Sequence, residues 1–168
     1  MPLYHRVPPK LFGTILYPLN SLREDYPLLY EQYVAEYAGR EQLLKERIPP
    51  LDCLWNDVLF LSAVDPRKIR RACEEAGAEL PPRLLFFEIE PIAIDPRNAV
   101  VWTRSKSPDD FQPFEPQQLE AYAELPEKQI RYYREEAECN RSPLLWMHLT
   151  QILYKGAIDI SNTRVLEV

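Results

Sequence analysis

Chemistry in this chain has few places to start. It has two histidines, His5 and His148, and His5 stands directly beside Arg6. A neutral imidazole can donate from one ring nitrogen and accept at the other, and a guanidinium supplies fixed charge for a phosphate or carboxylate. Tyr4-His5-Arg6 reads as strand, where neighbouring side chains point to opposite faces. His5 is then either a strand histidine hydrogen-bonded at a core edge or a donor to a ligand ribose or phosphate. Sharing a pocket with Arg6 would need a bulge. Trp55-Asn56-Asp57 also has two readings. It can be a packed indole with a capping Asx turn, or a stacking face with a polar handle for a planar ligand. His148 and Gln151 share a face if their apolar run is helical and oppose each other if it is a strand. Glu88 and Glu90 lie on one side of a strand, as an acid/base pair or as its solvated face. The candidate ligand-binding residues are His5, Arg6, Trp55, Asn56, His148 and Gln151. They are expected around one concave site for a small anionic or planar ligand.

Other chemistry is excluded by the residues themselves. The four glycines, at 13, 39, 77 and 156, leave no GxGxxG and no phosphate-binding P-loop. No GxSxG elbow occurs, and two histidines cannot build a multi-histidine metal site. Cys53, Cys73 and Cys139 form no CxxC, so zinc and redox motifs lack support, and no spacing supports a Cys-His nucleophile pair. No catalytic residue, metal or cofactor is assigned from these residues, and whether the chain is an enzyme stays open. A net charge of -6 argues against broad nucleic-acid binding, which needs clustered cations. No run approaches the length of apolar residues that spans a membrane, and the N-terminal MPLYHRVPPKL lacks the apolar region of a signal peptide. An odd number of thiols fits a reducing cytosol, so a cytoplasmic location is expected. The first reading of function is a non-catalytic ligand-binding or protein-interaction protein.

The elements that must position these residues follow from periodicity and punctuation. Leu3–Val7 reads as a strand stopped by Pro8-Pro9, and residues 11–17 as a second extended piece. After Pro27, the residues Tyr30, Tyr33, Val34 and Tyr37 recur at helical spacing, with Gly39 as a stop. A short charged helix is expected over residues 40–47. Val58–Ser62 is a strand. Asp65-Pro66 opens a helix that buries Ile69, Ala72, Cys73 and Ala76 and closes at Gly77. Arg83–Glu90 is the strongest strand, and Ala99–Thr103 another. Residues 105–116 read as a mobile loop, and 115–139 as a helix broken at Pro126. Tyr132 and Tyr133 lie among charges on what reads as a solvated face. Two short extended pieces, 158–160 and 165–168, close the chain. The sum is α+β: one domain over 1–168, with a single mixed or mainly antiparallel sheet and packed helices. Its core should hold Val58, Phe60, Ile69, Cys73, Leu85, Phe87, Ile89 and Val101. Seventeen prolines against four glycines stiffen the unfolded chain, and ten tyrosines should place many hydroxyls at the core boundary.

Two resemblances add expectations. The strings Leu3-Tyr4-His5-Arg6, Ile15-Leu16-Tyr17-Pro18-Leu19-Asn20 and Leu51-Asp52-Cys53-Leu54-Trp55-Asn56-Asp57 resemble those of an uncharacterised bacterial protein family, which brings no activity with it. More distantly, Tyr4-His5, Phe60-Leu61-Ser62, Glu88-Ile89-Glu90-Pro91 and residues 158–165 resemble ADP-ribosyltransferase-like domains, of the tRNA 2′-phosphotransferase or DNA-modifying type. That resemblance implies an NAD- or nucleotide-binding enzyme, with NAD as cofactor. It also implies a catalytic Glu near the last strands. The corresponding stretch, residues 144–156, has no Glu and offers His148 and Gln151 instead.

Overall fold

The structure is a computed structural model and describes residues 1–104 and 110–168. Eleven strands are formed by the described residues: β1 Leu3–Arg6, β2 Ile15–Leu16, β3 Arg47–Ile48, β4 Cys53–Leu54, β5 Leu59–Leu61, β6 Leu85–Ile89, β7 Ala99–Trp102, β8 Phe111–Pro113, β9 Gln151–Tyr154, β10 Ile158–Asp159 and β11 Arg164–Glu167. The α-helices are α1 Leu22–Asp25, α2 Pro27–Ala35, α3 Pro66–Glu75, α4 Leu119–Tyr122 and α5 Glu127–Glu138. The α+β expectation holds, and every strand pairing among them is antiparallel.

The single sheet expected from the sequence is not formed: its strands divide between two main sheets, in strand orders β1-β6-β11 and β5-β9-β7-β8. They meet at one point. Tyr4 and Ser62 exchange backbone hydrogen bonds of 2.7 and 3.0 Å, so the edge strand β1 leans on the edge strand β5. The expected strands at 3–7, 58–62, 83–90, 99–103 and 164–168 are all present. What periodicity left undecided is β9, which is buried along its whole length between β5 and β7. A strand covered on both faces shows no alternation. Part of the expected loop over 105–116 is also strand: β8 pairs with β7, Trp102 opposite Phe111. The first part of that loop, residues 105–109, lies outside the described residues.

The helix over 66–75 forms as its punctuation demands. The Asp65 carboxylate accepts from the Arg67 amide at 2.8 Å, Pro66 occupies the first turn, and Gly77 takes φ +79° just past the end. Ile69, Ala72 and Cys73 are buried against Tyr133 of α5. Burial pushes the Cys73 thiol up to about 11, so it stays protonated and packs as a small apolar group. Tyr133 corrects the sequence reading: it is fully buried, although charged residues flank it on α5. Arg134 beside it is exposed and Tyr132 half-buried, while its own hydroxyl reaches inward to the Leu145 carbonyl at 2.6 Å.

Of the expected core, Val58, Ile69, Cys73, Phe87, Ile89 and Val101 are buried. Phe60 and Leu85 are half-buried. Phe60 packs against Trp55 and also lines a cavity.

Candidate functional site

Strand β1 settles the question of His5 and Arg6 by register. His5 lies opposite Phe87 and Arg6 opposite Phe86 on β6, so the two side chains leave the sheet on opposite faces. No bulge intervenes. His5 faces a cavity of about 220 Å³ and Arg6 a separate groove of about 340 Å³.

The cavity is closed by three pieces of chain. Its floor is His5 with Val58, Leu59 and Phe60 of the β5 region. One wall is Tyr33 of α2 and Tyr37 in the turn after it, with Tyr26 just before the helix. The remaining cover is the segment from Pro8 to Leu22. The cover is fastened. The Tyr33 hydroxyl donates to the Lys10 carbonyl at 2.7 Å and accepts from the Lys10 amide at 3.2 Å. Asn20 donates to Asp57 at 2.8 Å, and the other Asp57 oxygen caps the Leu54 amide at 2.7 Å. In place of the expected Asx turn, Asp57 reaches back to the amide three residues before it, a capping-box contact that fixes the backbone from which Asn56 projects.

Two polar groups in this lining carry unused hydrogen-bonding capacity. His5 Nδ1 meets the Phe60 carbonyl at 2.8 Å. A carbonyl only accepts, so Nδ1 holds the proton and Nε2 is left as an acceptor. Burial holds the imidazole pKa below its ordinary value, with the Phe60 bond opposing, and the ring is neutral at pH 7. Asn56 is 2% exposed. Its Oδ1 accepts from the Tyr37 hydroxyl at 3.1 Å, while its Nδ2 is buried without a partner. Reversing the amide would only move the unmatched end from nitrogen to oxygen. Burial also pushes the Tyr33 and Tyr37 hydroxyls above their ordinary pKa, which keeps both as proton donors.

The expected single site does not form. His5 and Asn56 line the cavity, and Arg6 and Gln151 line the groove. Trp55 does neither. It packs against Phe60 and Trp102 at ring distances of 5.0 and 4.8 Å, which is the packed-indole reading. His148 lies edge-on to Tyr132, with ring centroids 5.5 Å apart, and its amide donates to Gln129. Gln151 is on β9 while His148 precedes it, so the two share no helix face. Glu88 pairs with Arg164 at 3.2 Å, and among the described residues no group of three or more His, Cys, Asp and Glu is placed to hold a metal. Of the helical stripe expected over residues 30–37, Tyr33 and Tyr37 line the cavity, and Tyr37 does so from the turn beyond α2. That the stripe faces a cavity was signalled only by its being Tyr and not Leu.

Comparison of the chain with protein-family models, with curated proteins and with solved structures found no match.

Proposed function

We propose that the protein is a ligand-binding domain whose cavity takes a small, neutral, mainly apolar molecule bearing one hydroxyl or amide. A hydroxyl suits both unused groups, since it accepts from Asn56 Nδ2 and donates to His5 Nε2. The unpartnered Asn56 amide carries the reading. Leaving such a group dry and unmatched costs about 1–3 kcal/mol, a penalty that a ligand in the cavity removes. Size supports it as well: about 220 Å³ exceeds the roughly 150 Å³ that admits a benzene ring. The neutral imidazole and amide, with the tyrosine wall, favour an uncharged aromatic ligand.

The test is a thermal-shift titration of the full chain with phenol, indole and benzamide, with NAD in parallel. The neutral aromatics should raise the melting temperature of the wild-type protein. A ligand at about 100 times its Kd adds about 2.7 kcal/mol. The shift should disappear in Asn56→Leu. Stabilisation by NAD with none from the neutral aromatics would reject this reading and favour the ADP-ribosyltransferase-like one. No shift with any of them would leave the cavity without a ligand role.

A further inference from the structure

The groove on the other face of β1 contains its own unmatched groups. Arg104 Nε and Trp146 Nε1 are both buried donors without a hydrogen-bond partner. Both residues line the groove, together with Arg6 and Gln151. None of the groove's lining residues belongs to the cavity.

Arg104 is held in an unusual way. Its backbone takes φ +56°, a left-handed conformation that a non-glycine residue adopts at a cost. Its guanidinium sits over the Trp102 ring, 3.9 Å from the centroid. The ring and the surrounding burial remove water from the cation without neutralising it, and its pKa falls only to about 10. Asp110 is near enough to be felt. Its oxygens, however, bind the Trp102 indole at 2.8 Å and the Thr103 hydroxyl at 3.0 Å.

The opposite wall, residues 143–147, is fixed to α5. Tyr133 donates to the Leu145 carbonyl, the Leu144 amide donates to Tyr132, and buried Gln129 spans the Leu144 carbonyl and the His148 amide. Gln151 adds a bond from its amide to the Trp146 carbonyl at 3.0 Å. Trp146 is thus held in place with its N–H unused, which is how a preorganised donor is built.

We infer that this groove is a second binding site, for a small organic carboxylate. Its oxygens meet Arg6, Arg104 and the Trp146 indole N–H, and its apolar body lies against Phe86, Leu145 and Met147. A carboxylate only accepts, and every unmatched group named here donates. Two arginines converging on one groove stand out in a chain of net charge -6, whose overall field repels anions.

Benzoate titrated into the isotope-labelled full chain tests this, with the Trp146 indole N–H resonance as the readout. A saturable shift of that resonance is expected at millimolar benzoate. Benzamide, which has the same shape without the charge, should bind at least about tenfold more weakly, as should benzoate to Arg6→Gln. Arg6 is exposed, so this variant carries the test even if Arg104→Gln fails to fold. The assignment is overturned if benzoate leaves the Trp146 resonance unmoved, or if Arg6→Gln binds as tightly as wild type. Inorganic phosphate binding as tightly as benzoate would also overturn it, since the apolar wall would then contribute nothing. Because the readout sits in the groove, loss of ligand binding in the cavity leaves the result unaffected.

Discussion

The two faces of β1 differ in how they are supported as much as in charge. On the His5 side, the space is closed by short segments and a nine-residue helix whose only buried residue is Leu29. On the Arg6 side, the floor is Phe86, 1% exposed, and the wall is bonded to a twelve-residue helix. The His5 cavity therefore has a core floor, Val58 and Leu59, under a helix that buries a single residue. The cationic groove is cut into the core itself. One pair of adjacent strand residues opens onto both environments, so ligand binding on either face depends on different stability.

The largest expected effect breaks the groove side. Phe86→Ala removes a ring packed between Tyr4, Leu84, Leu166 and Trp146 and should cost about 3–5 kcal/mol by urea denaturation. Its counterpart at the cavity rim is Phe12, 54% exposed and stacked on Tyr26 with centroids 5.8 Å apart. Phe12→Ala should cost no more than about 1 kcal/mol. Equal costs would erase the difference in support between the two faces.

Tyr133→Phe comes next. It keeps the buried ring and deletes the hydroxyl bound to the Leu145 carbonyl, leaving that carbonyl unmatched. A loss of about 1–3 kcal/mol is expected. Hydrogen exchange should quicken at residues 144–149 and remain unchanged in α2. Faster exchange in α2 would show that the two faces are not independent.

The contrast also shows what a sequence can carry. That His5 and Arg6 must part company follows from strand alternation alone, and the helix over 66–75 from Asp65, Pro66 and Gly77. Neither depends on distant chain. The misplacements are all long-range. Trp55, Asn56, His148 and Gln151 looked like one site because rare polar-aromatic residues stood at element ends. Which way each points is decided by partners far along the chain, Trp102 for Trp55 and Tyr132 for His148. Strand β9 was hidden because both of its faces are buried, Ile152 and Tyr154 in one apolar cluster and Leu153 in another. Tyr133 was hidden because its flanking residues are charged, although one residue in three or four on a helix can still face inward. The bridge between Tyr4 and Ser62 joins residues from separate strands and leaves no local trace.

A smaller effect sharpens the cavity side. Asn56→Leu removes the unmatched amide and fills part of the space. The Tyr37 hydroxyl it abandons is half-buried and can turn to water. Stability should stay level or rise by up to about 1 kcal/mol, while binding of neutral hydroxyl-bearing aromatics is lost. A substantial loss of stability would mean that the amide is a structural bond and not a reserved one.

The smallest effect is a pH dependence that only the cavity face should show. The folded pKa of His5 lies below the unfolded value of about 6.5, because burial disfavours the charged ring. Above that value both states are neutral and His5 contributes no slope. As pH falls below it, the unfolded chain takes up the proton first, so stability declines until the folded pKa is reached. The slope cannot exceed about 1.4 kcal/mol per pH unit. Asp95, Glu136 and Glu167, whose pKa values are held low by bonds to Arg97, Arg141 and Arg83, add their own loss of stability on acidification, but they do so equally in wild type and in a His5 variant. The difference between wild type and His5→Gln therefore isolates the histidine, and the variant should show the flatter profile between pH 7 and the folded pKa. Ligand affinity should separate the faces in the same way. A hydroxyl donating to Nε2 needs the neutral ring, so phenol should bind more weakly as His5 takes up its proton. Benzoate, which makes no contact with His5, should bind unchanged wherever it remains a carboxylate. Parallel loss of both ligands on acidification would show that the two faces respond as one site.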